Sequence, residues 1–193
     1  MAKKLNTGIF GGSFNPFHNG HLAISEAVME KHMVDELWLM VTPLNPWKKE
    51  QALLSDKKRL QMVSEAIAGM KNTKASDFEF NLPVPTFTAN TLKELTRTHP
   101  ERKFTLIIGS DNWNEFDKWQ EYEYIQKNYD IIVYPRSGSS VSNVSGKIRL
   151  LDSPKVEISS SQIIERLRNG LAIDRMVPKN VADTIYSESL FKD

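Results

Sequence analysis

Leu5-Asn6-Thr7-Gly8-Ile9-Phe10-Gly11-Gly12-Ser13-Phe14-Asn15-Pro16-Phe17-His18-Asn19-Gly20-His21 begins as a strand-like apolar run and breaks on two glycines. A strand that ends in Gly-Gly lets another molecule approach bare backbone. The glycines match neither the dinucleotide fingerprint G-x-G-x-x-G nor the phosphate loop G-x-x-x-x-G-K-[ST], so they serve another binding mode. Two of the chain's four histidines follow, His18 and His21, spaced i, i+3 around Gly20 where a helix is expected to start. Unpaired amides and a partial positive charge at a helix start favour an anionic phosphate. Imidazoles there can donate hydrogen bonds that follow the charge building up during phosphoryl or nucleotidyl transfer. The bland alternative is a glycine turn carrying surface histidines. A metal pair is disfavoured, because no nearby Asp, Glu or Cys completes a ligand set.

Working outward, short apolar runs alternate with amphipathic segments. Strands are expected at Leu5 to Phe10, Glu36 to Thr42, Ser76 to Leu82, Lys103 to Ile108 and Asp130 to Tyr134. Helical periodicity covers His21 to Lys31, Asp56 to Met70 with Ser55 as its cap, Thr88 to Thr98, Ser160 to Arg168, and Pro178 to Glu188 with Pro178 at the first position. Continuously apolar runs such as Ile131-Ile132-Val133 suit strands covered on both faces. This alternation predicts a doubly wound α/β fold, a mainly parallel sheet with helices on both faces. No internal repeat or domain boundary is visible, so residues 1–193 read as one domain. Ligands of such sheets bind at the carboxyl ends of the strands, where the order reverses.

Composition narrows the classes further. The 193 residues are 40% hydrophobic and 25% charged, which excludes wholesale disorder and fibrous repeats. Lys plus Arg number 25 against 24 acidic residues, a net charge of +1, so no broad basic face for nucleic acid or membrane is implied. The absence of cysteine removes disulfides, thiolate zinc sites and thiol nucleophiles. No apolar run approaches the ~20 residues of a membrane span, and none follows the first residues as a signal peptide would. A cytoplasmic protein is expected, with homo-oligomerisation left open. The stretch from Arg136 to Gly146 is rich in Ser and Gly and reads as a loop, either a lid or a plain connection.

The segment Gly-Gly-Ser-Phe-Asn-Pro-Phe-His-Asn-Gly-His, residues 11–21, resembles the G-G-[ST]-F-[DN]-P-x-H-x-G-H motif of the nucleotidylyltransferase superfamily, in the form carried by bacterial nicotinate-nucleotide adenylyltransferases. That resemblance implies a Rossmann-like fold and transfer of an adenylyl group from ATP, accompanied by Mg²⁺, to nicotinate mononucleotide. It implies His18 and His21 as catalytic residues, with Gly11, Gly12, Ser13 and Phe14 admitting the nucleotide. The later segments continue it in order. Thr42-Pro43-Leu44-Asn45-Pro46-Trp47-Lys48 resembles the family's proline-framed loop, making Asn45 and Lys48 substrate contacts, although Trp47 stands where the family often has His. Thr86-Phe87-Thr88-Ala89-Asn90-Thr91-Leu92 reads on its own as a helix cap through Thr88, and resembles the [ST]-[YF]-T-x-[DEN]-T-L segment that receives the nicotinate carboxylate on helix-start amides.

Gly109-Ser110-Asp111 closes the fourth expected strand, with Trp119 eight residues beyond Asp111. Asp111 can orient ribose hydroxyls or a phosphate-bound metal, or merely cap a helix. The resemblance places Gly109 near adenine and stacks Trp119 on the pyridine, while Trp113 packs. Arg136 reaches substrate phosphate or lies on the surface. Ser159-Ser160-Ser161-Gln162-Ile163 forms a helix start suited to phosphate, and resembles the I-S-S-T-x-I-R segment that grips ATP. The expected arginine there is Ile164, leaving Arg166, or Arg168, as its substitute. Two other readings stay open. One is a nucleotidylyltransferase with nicotinamide mononucleotide or phosphopantetheine as acceptor, and the other is a non-catalytic nucleotide-binding module.

Overall fold

The computed structural model describes residues 3–43, 53–136, 141, 146–153 and 157–191. Six parallel strands form one sheet: β1 (Leu5–Gly12), β2 (Glu36–Val41), β3 (Thr73–Ser76), β4 (Arg102–Gly109), β5 (Asp130–Tyr134) and β6 (Ile148–Leu150), in the order β3-β2-β1-β4-β5-β6. The order reverses between β1 and β4, the switch point of a doubly wound sheet. Ile9 sits opposite Trp38 on one side and Leu106 on the other, and Ile107 is opposite Ile132.

Strand alternation sends these side chains to two cores. On one face, α1 (Asn19–Glu30) and α2 (Asp56–Ala66) cover Phe10, Leu37, Leu39, Ile107 and Ile132 through Ile24, Val28 and Val63. On the other, α3 (Thr88–Thr98) and α5 (Tyr122–Asn128) cover Ile9, Trp38, Leu106, Ile131 and Val133 through Leu92, Leu95 and Ile125. This is the arrangement that right-handed crossovers on either side of the switch point dictate. A third cluster joins the outer side of α2, through Met62, to α6 (Ser160–Arg168) and α7 (Lys179–Ser187) through Ile163, Leu167, Val181 and Ile185. No helix among the described residues is long and apolar enough to cross a membrane.

Several boundaries differ from expectation. The third strand is Thr73–Ser76 rather than Ser76 to Leu82, and Phe78–Asn81 is a 3₁₀ turn. There the alternating Phe78 and Phe80 mimic a strand, but the Ser76 hydroxyl accepts the Phe78 amide and turns the chain. Helix α2 stops at Ala66, four residues short of Met70, just before Ala68-Gly69. Pro178 is the N-cap of α7, not its first helical residue. The short α4 (Ser110–Asn114), α5 and β6 carry too few residues to print a period. Ser55 does cap α2, its hydroxyl accepting the Lys58 amide at 3.3 Å.

Candidate active site

The glycine–histidine segment reverses the chain at the switch point. Gly11 and Gly12 complete β1, and an added Cβ on Gly11 would meet open space. Phe14 follows in the left-handed region at φ 48°, strained for an aromatic residue. Its ring is 1% exposed and meets the rings of Phe10 and His21 edge-on at 5.8 and 4.9 Å. The expectation that Phe14 binds nucleotide is therefore corrected for its side chain, which is core and sets His21.

Helix α1 begins two residues before the expected His21, with His18 as N-cap and His21 at the third helical position. Each ring then caps the other's backbone. His18 Nδ1 accepts the His21 amide at 3.3 Å, and His21 Nδ1 accepts the His18 amide at 3.2 Å. The rings stack at 3.6 Å between centroids with 18° between planes. An Nδ1 that accepts cannot carry a proton, so each neutral imidazole holds its proton on Nε2. Burial pushes the His18 pKa down to about 4, helped by the charge of Arg136. Burial, electrostatic coupling to the adjoining His18 ring and the charge of Arg136 hold His21 well below the usual histidine value. The result is two neutral N–H donors with a fixed tautomer beside a cation.

That cation comes from the end of β5. The Arg136 amide donates to Ser110 Oγ at 2.9 Å, and its guanidinium donates to Asp111 Oδ2 at 3.0 Å. Gly109 allows this approach, because a Cβ there would collide with the Asp111 carboxylate and lie 2.8 Å from Arg136 Cδ. His18, His21, Gly109, Asp111 and Arg136 are thus brought together from the ends of β1, β4 and β5.

The start of α6 docks on the same loop, with Ser160 Oγ donating to the Pro16 carbonyl at 3.0 Å. Ser159 caps α6: its hydroxyl accepts the Gln162 amide at 3.3 Å, and Gln162 Oε1 accepts the Ser159 amide at 2.9 Å. Arg166 does not turn back to this start. Its Nε and Nη2 both donate to the Ala172 carbonyl at 3.1 and 3.0 Å, in the segment that follows the end of α6. The Arg166 guanidinium, expected to substitute for the missing arginine, lies at the far end of α6 in this structure, and among the described residues Arg136 is a cation beside the histidines. Ser13 is exposed and gives its carbonyl to Arg59.

Thr88 is the first residue of α3, not its cap. Phe87 holds the N-cap position with no side-chain bond to the helix, so the expected capping by Thr88 is corrected. The anchor of this segment is Glu79, absent from the sequence expectations. It is 6% exposed, and its Oε1 accepts from Thr91 Oγ1 at 2.7 Å. Burial raises its pKa, against a lowering by the Thr91 and Thr86 hydroxyls. Trp119 is half-buried against Phe116, centroids 5.4 Å apart, and Trp113 stacks on the same ring at 5.2 Å. Asn45, Lys48 and most of the serine-glycine stretch after Arg136 lie outside the described residues.

The largest omission from the motifs is Arg59, a completely buried arginine on α2 that touches the glycine loop. Its signal was available: Arg59, Met62 and Val63 share the buried side of α2, a periodicity that places a charge where an apolar residue belongs.

Residues 9–166 match the cytidylyltransferase-like family model. A Bacteroides fragilis protein named "probable nicotinate-nucleotide adenylyltransferase" is 50% identical over 169 residues, covering 86% of this chain and 84% of that protein. A Flavobacterium johnsoniae protein of the same name is 40% identical over 192 residues, covering 97% and 100%. The fold is shared with a solved structure of the nicotinic acid mononucleotide adenylyltransferase of Plasmodium falciparum, complexed with NaAD, at TM-score 0.83 and 22% identity over 97% of each chain. With this sheet, these paired histidines and these relatives, the chain belongs to the nicotinate-nucleotide adenylyltransferase family, within the cytidylyltransferase-like nucleotidyltransferases.

Proposed function

We propose that this protein joins ATP and nicotinate mononucleotide into deamido-NAD and pyrophosphate, a step of NAD synthesis. The observation that carries the reading is the reciprocal histidine cap at the switch point, with Arg136 beside it. The mononucleotide phosphate is already an anion and attacks the α-phosphorus of ATP in line. The new P–O bond forms as the bond to the β-phosphate oxygen breaks, so pyrophosphate leaves with its electron pair. No covalent enzyme intermediate is needed, and catalysis consists of positioning and charge compensation.

In this reading the Nε2–H donors of His18 and His21 follow charge onto the α-phosphate oxygens and the leaving group. Because both rings are neutral and preorganised, they donate without paying to reorient. Arg136, held by Asp111, supplies the positive field. Gly11, Gly12, Ser13 and Gly109 leave room for the nucleotide, and the amides at the start of α6, with Ser159 and Ser160, meet the triphosphate tail. The substrate is the magnesium complex of ATP. Thr86, Thr88, Trp119, Asn45 and Lys48 are assigned to the mononucleotide side, with Glu79 anchoring the threonine segment. A small-molecule enzyme of this kind belongs in the cytoplasm and needs neither nucleic acid nor membrane.

The test is pyrophosphate release from Mg·ATP with nicotinate mononucleotide, nicotinamide mononucleotide and phosphopantetheine in parallel. Turnover is expected with the nicotinate substrate in clear preference. Turnover only with another acceptor would move the assignment to that substrate, and ATP binding without turnover would reduce the protein to a binding module.

A further inference from the structure

We propose that Arg59 is a positioning residue that locks the glycine–histidine loop and both ends of the β2–α2 loop into one frame. Its Nη1 donates to the carbonyls of Ser13 and Thr42, its Nε to the carbonyl of Leu54 at 3.1 Å, and its Nη2 to Asp56 Oδ1. Ser13 lies between the Gly-Gly end of β1 and His18. Thr42 is the first residue after β2, its amide donating to the Gly12 carbonyl at 3.0 Å, and Leu54 just precedes α2. A second tie backs the clamp: Leu54 donates its amide to Asn15 Oδ1 at 3.0 Å, and Asn15 is 3% exposed. One guanidinium therefore sets how the loop ahead of the histidines sits against the start and finish of its neighbour.

Chemistry explains why this position carries arginine. Three carbonyls and one carboxylate converge from different directions, and a planar five-donor fork meets them together where an ammonium could not. Stability alone is a poor reason to bury a charge, because well-packed apolar residues commonly replace a buried ion pair without loss. What an apolar side chain cannot supply is direction on three backbone carbonyls. A misplacement of about 1 Å of a reacting group can cost about 10²-fold in rate, so a clamp behind the loop reaches the chemistry without touching substrate.

The inference rests on the adenylyl-transfer reading, and the experiment separates the two. Pyrophosphate release is measured for wild type, Arg59→Lys and Ile185→Ala, each well below its own Tm. Ile185 is fully buried in the α7 cluster and serves as a stability control away from the switch point. Arg59→Lys is expected to lose about 10- to 100-fold in kcat and to raise KM for both substrates, while Ile185→Ala keeps kcat within about twofold despite a Tm at least as low. Arg59→Lys with kcat and KM both near wild type would overturn the proposal, as would kcat falling in step with Tm in both variants. If Arg59→Lys does not fold, Asp56→Asn takes its place. It removes only the counter-charge and is expected to lower kcat about three- to tenfold, with no change counting against the clamp. If wild type releases no pyrophosphate at all, the adenylyl-transfer reading fails first. The clamp is then judged by calorimetry with Mg·ATP: Arg59→Lys weakened at least about fivefold against an unchanged Ile185→Ala supports it, and equal affinities refute it.

Discussion

Helices α1 and α6 start in the same way and for different ends. Both open on a reciprocal capping box, His18 with His21 and Ser159 with Gln162, and both starts meet at the glycine loop. In α6 the box is made of exposed or half-exposed side chains with freely rotating or neutral groups, and it costs little to loosen. In α1 the caps are aromatic rings stacked on each other and wedged by Phe10, Phe14 and Phe17. Capping through Nδ1 fixes the tautomer, and burial keeps the rings neutral. One hydrogen-bond pattern thus gives an adaptable helix start of backbone amides and serines in one place and a fixed pair of imidazole donors in the other.

Changing His21 to Ala is expected to have the largest effect, a kcat loss of about 10²–10³-fold, the scale of one transition-state donor; near-normal turnover would erase the distinction between the two starts. The pH response comes next. An unfolded His18 takes a proton below about pH 6.5, whereas the folded ring does so only below about 4. Between those values the unfolded chain binds more protons, so stability is full above about 6.5 and falls as pH drops toward 4, by about 3 kcal/mol from this ring. Thermal melts at pH 7.5, 5.5 and 4.5 should show the fall, flattened in His18→Asn, which keeps a cap without the titration. A flat wild-type profile would contradict the buried neutral ring.

Trp119→Ala lies outside both starts and sharpens the comparison as a control: KM for the mononucleotide should rise about tenfold through lost stacking with kcat nearly kept. An effect confined to ATP would refute the stacking role. The smallest change is expected from Ser159→Ala. Loss of an N-cap costs about 1 kcal/mol, a Tm decrease of about 2–4 °C in a chain of this size, the same at every pH in the melts above. A loss of turnover comparable to that of His21→Ala would show that the two boxes do equivalent work.

Much of the fold was legible because long periods survive local noise. The strands around Ile107 and Ile132 and the helices Thr88–Thr98 and Ser160–Arg168 lie where their patterns put them. The errors fall where a side chain turns the backbone, as at Ser76, or where an element is too short, as with β6. The paired histidines and the Gly109–Asp111 turn were legible as a motif. The side-chain placements of Arg166 and Phe14 and the cap position beside Thr88 were not legible, because their partners, Ala172, the His21 ring and Phe87, are decided by how segments pack rather than by spacing.

Taken alone, the sequence determined the alternation of strand and helix, the glycine break after β1 and the chemistry available at residues 11–21, since these depend on near neighbours and on residue type. Tertiary structure decided which ring nitrogen is left to donate, which arginine stands by the histidines and which is buried behind the loop. Those outcomes depend on contacts such as Arg59 with Ser13, 46 residues apart, and Arg136 with Asp111, 25 apart, which no local pattern encodes.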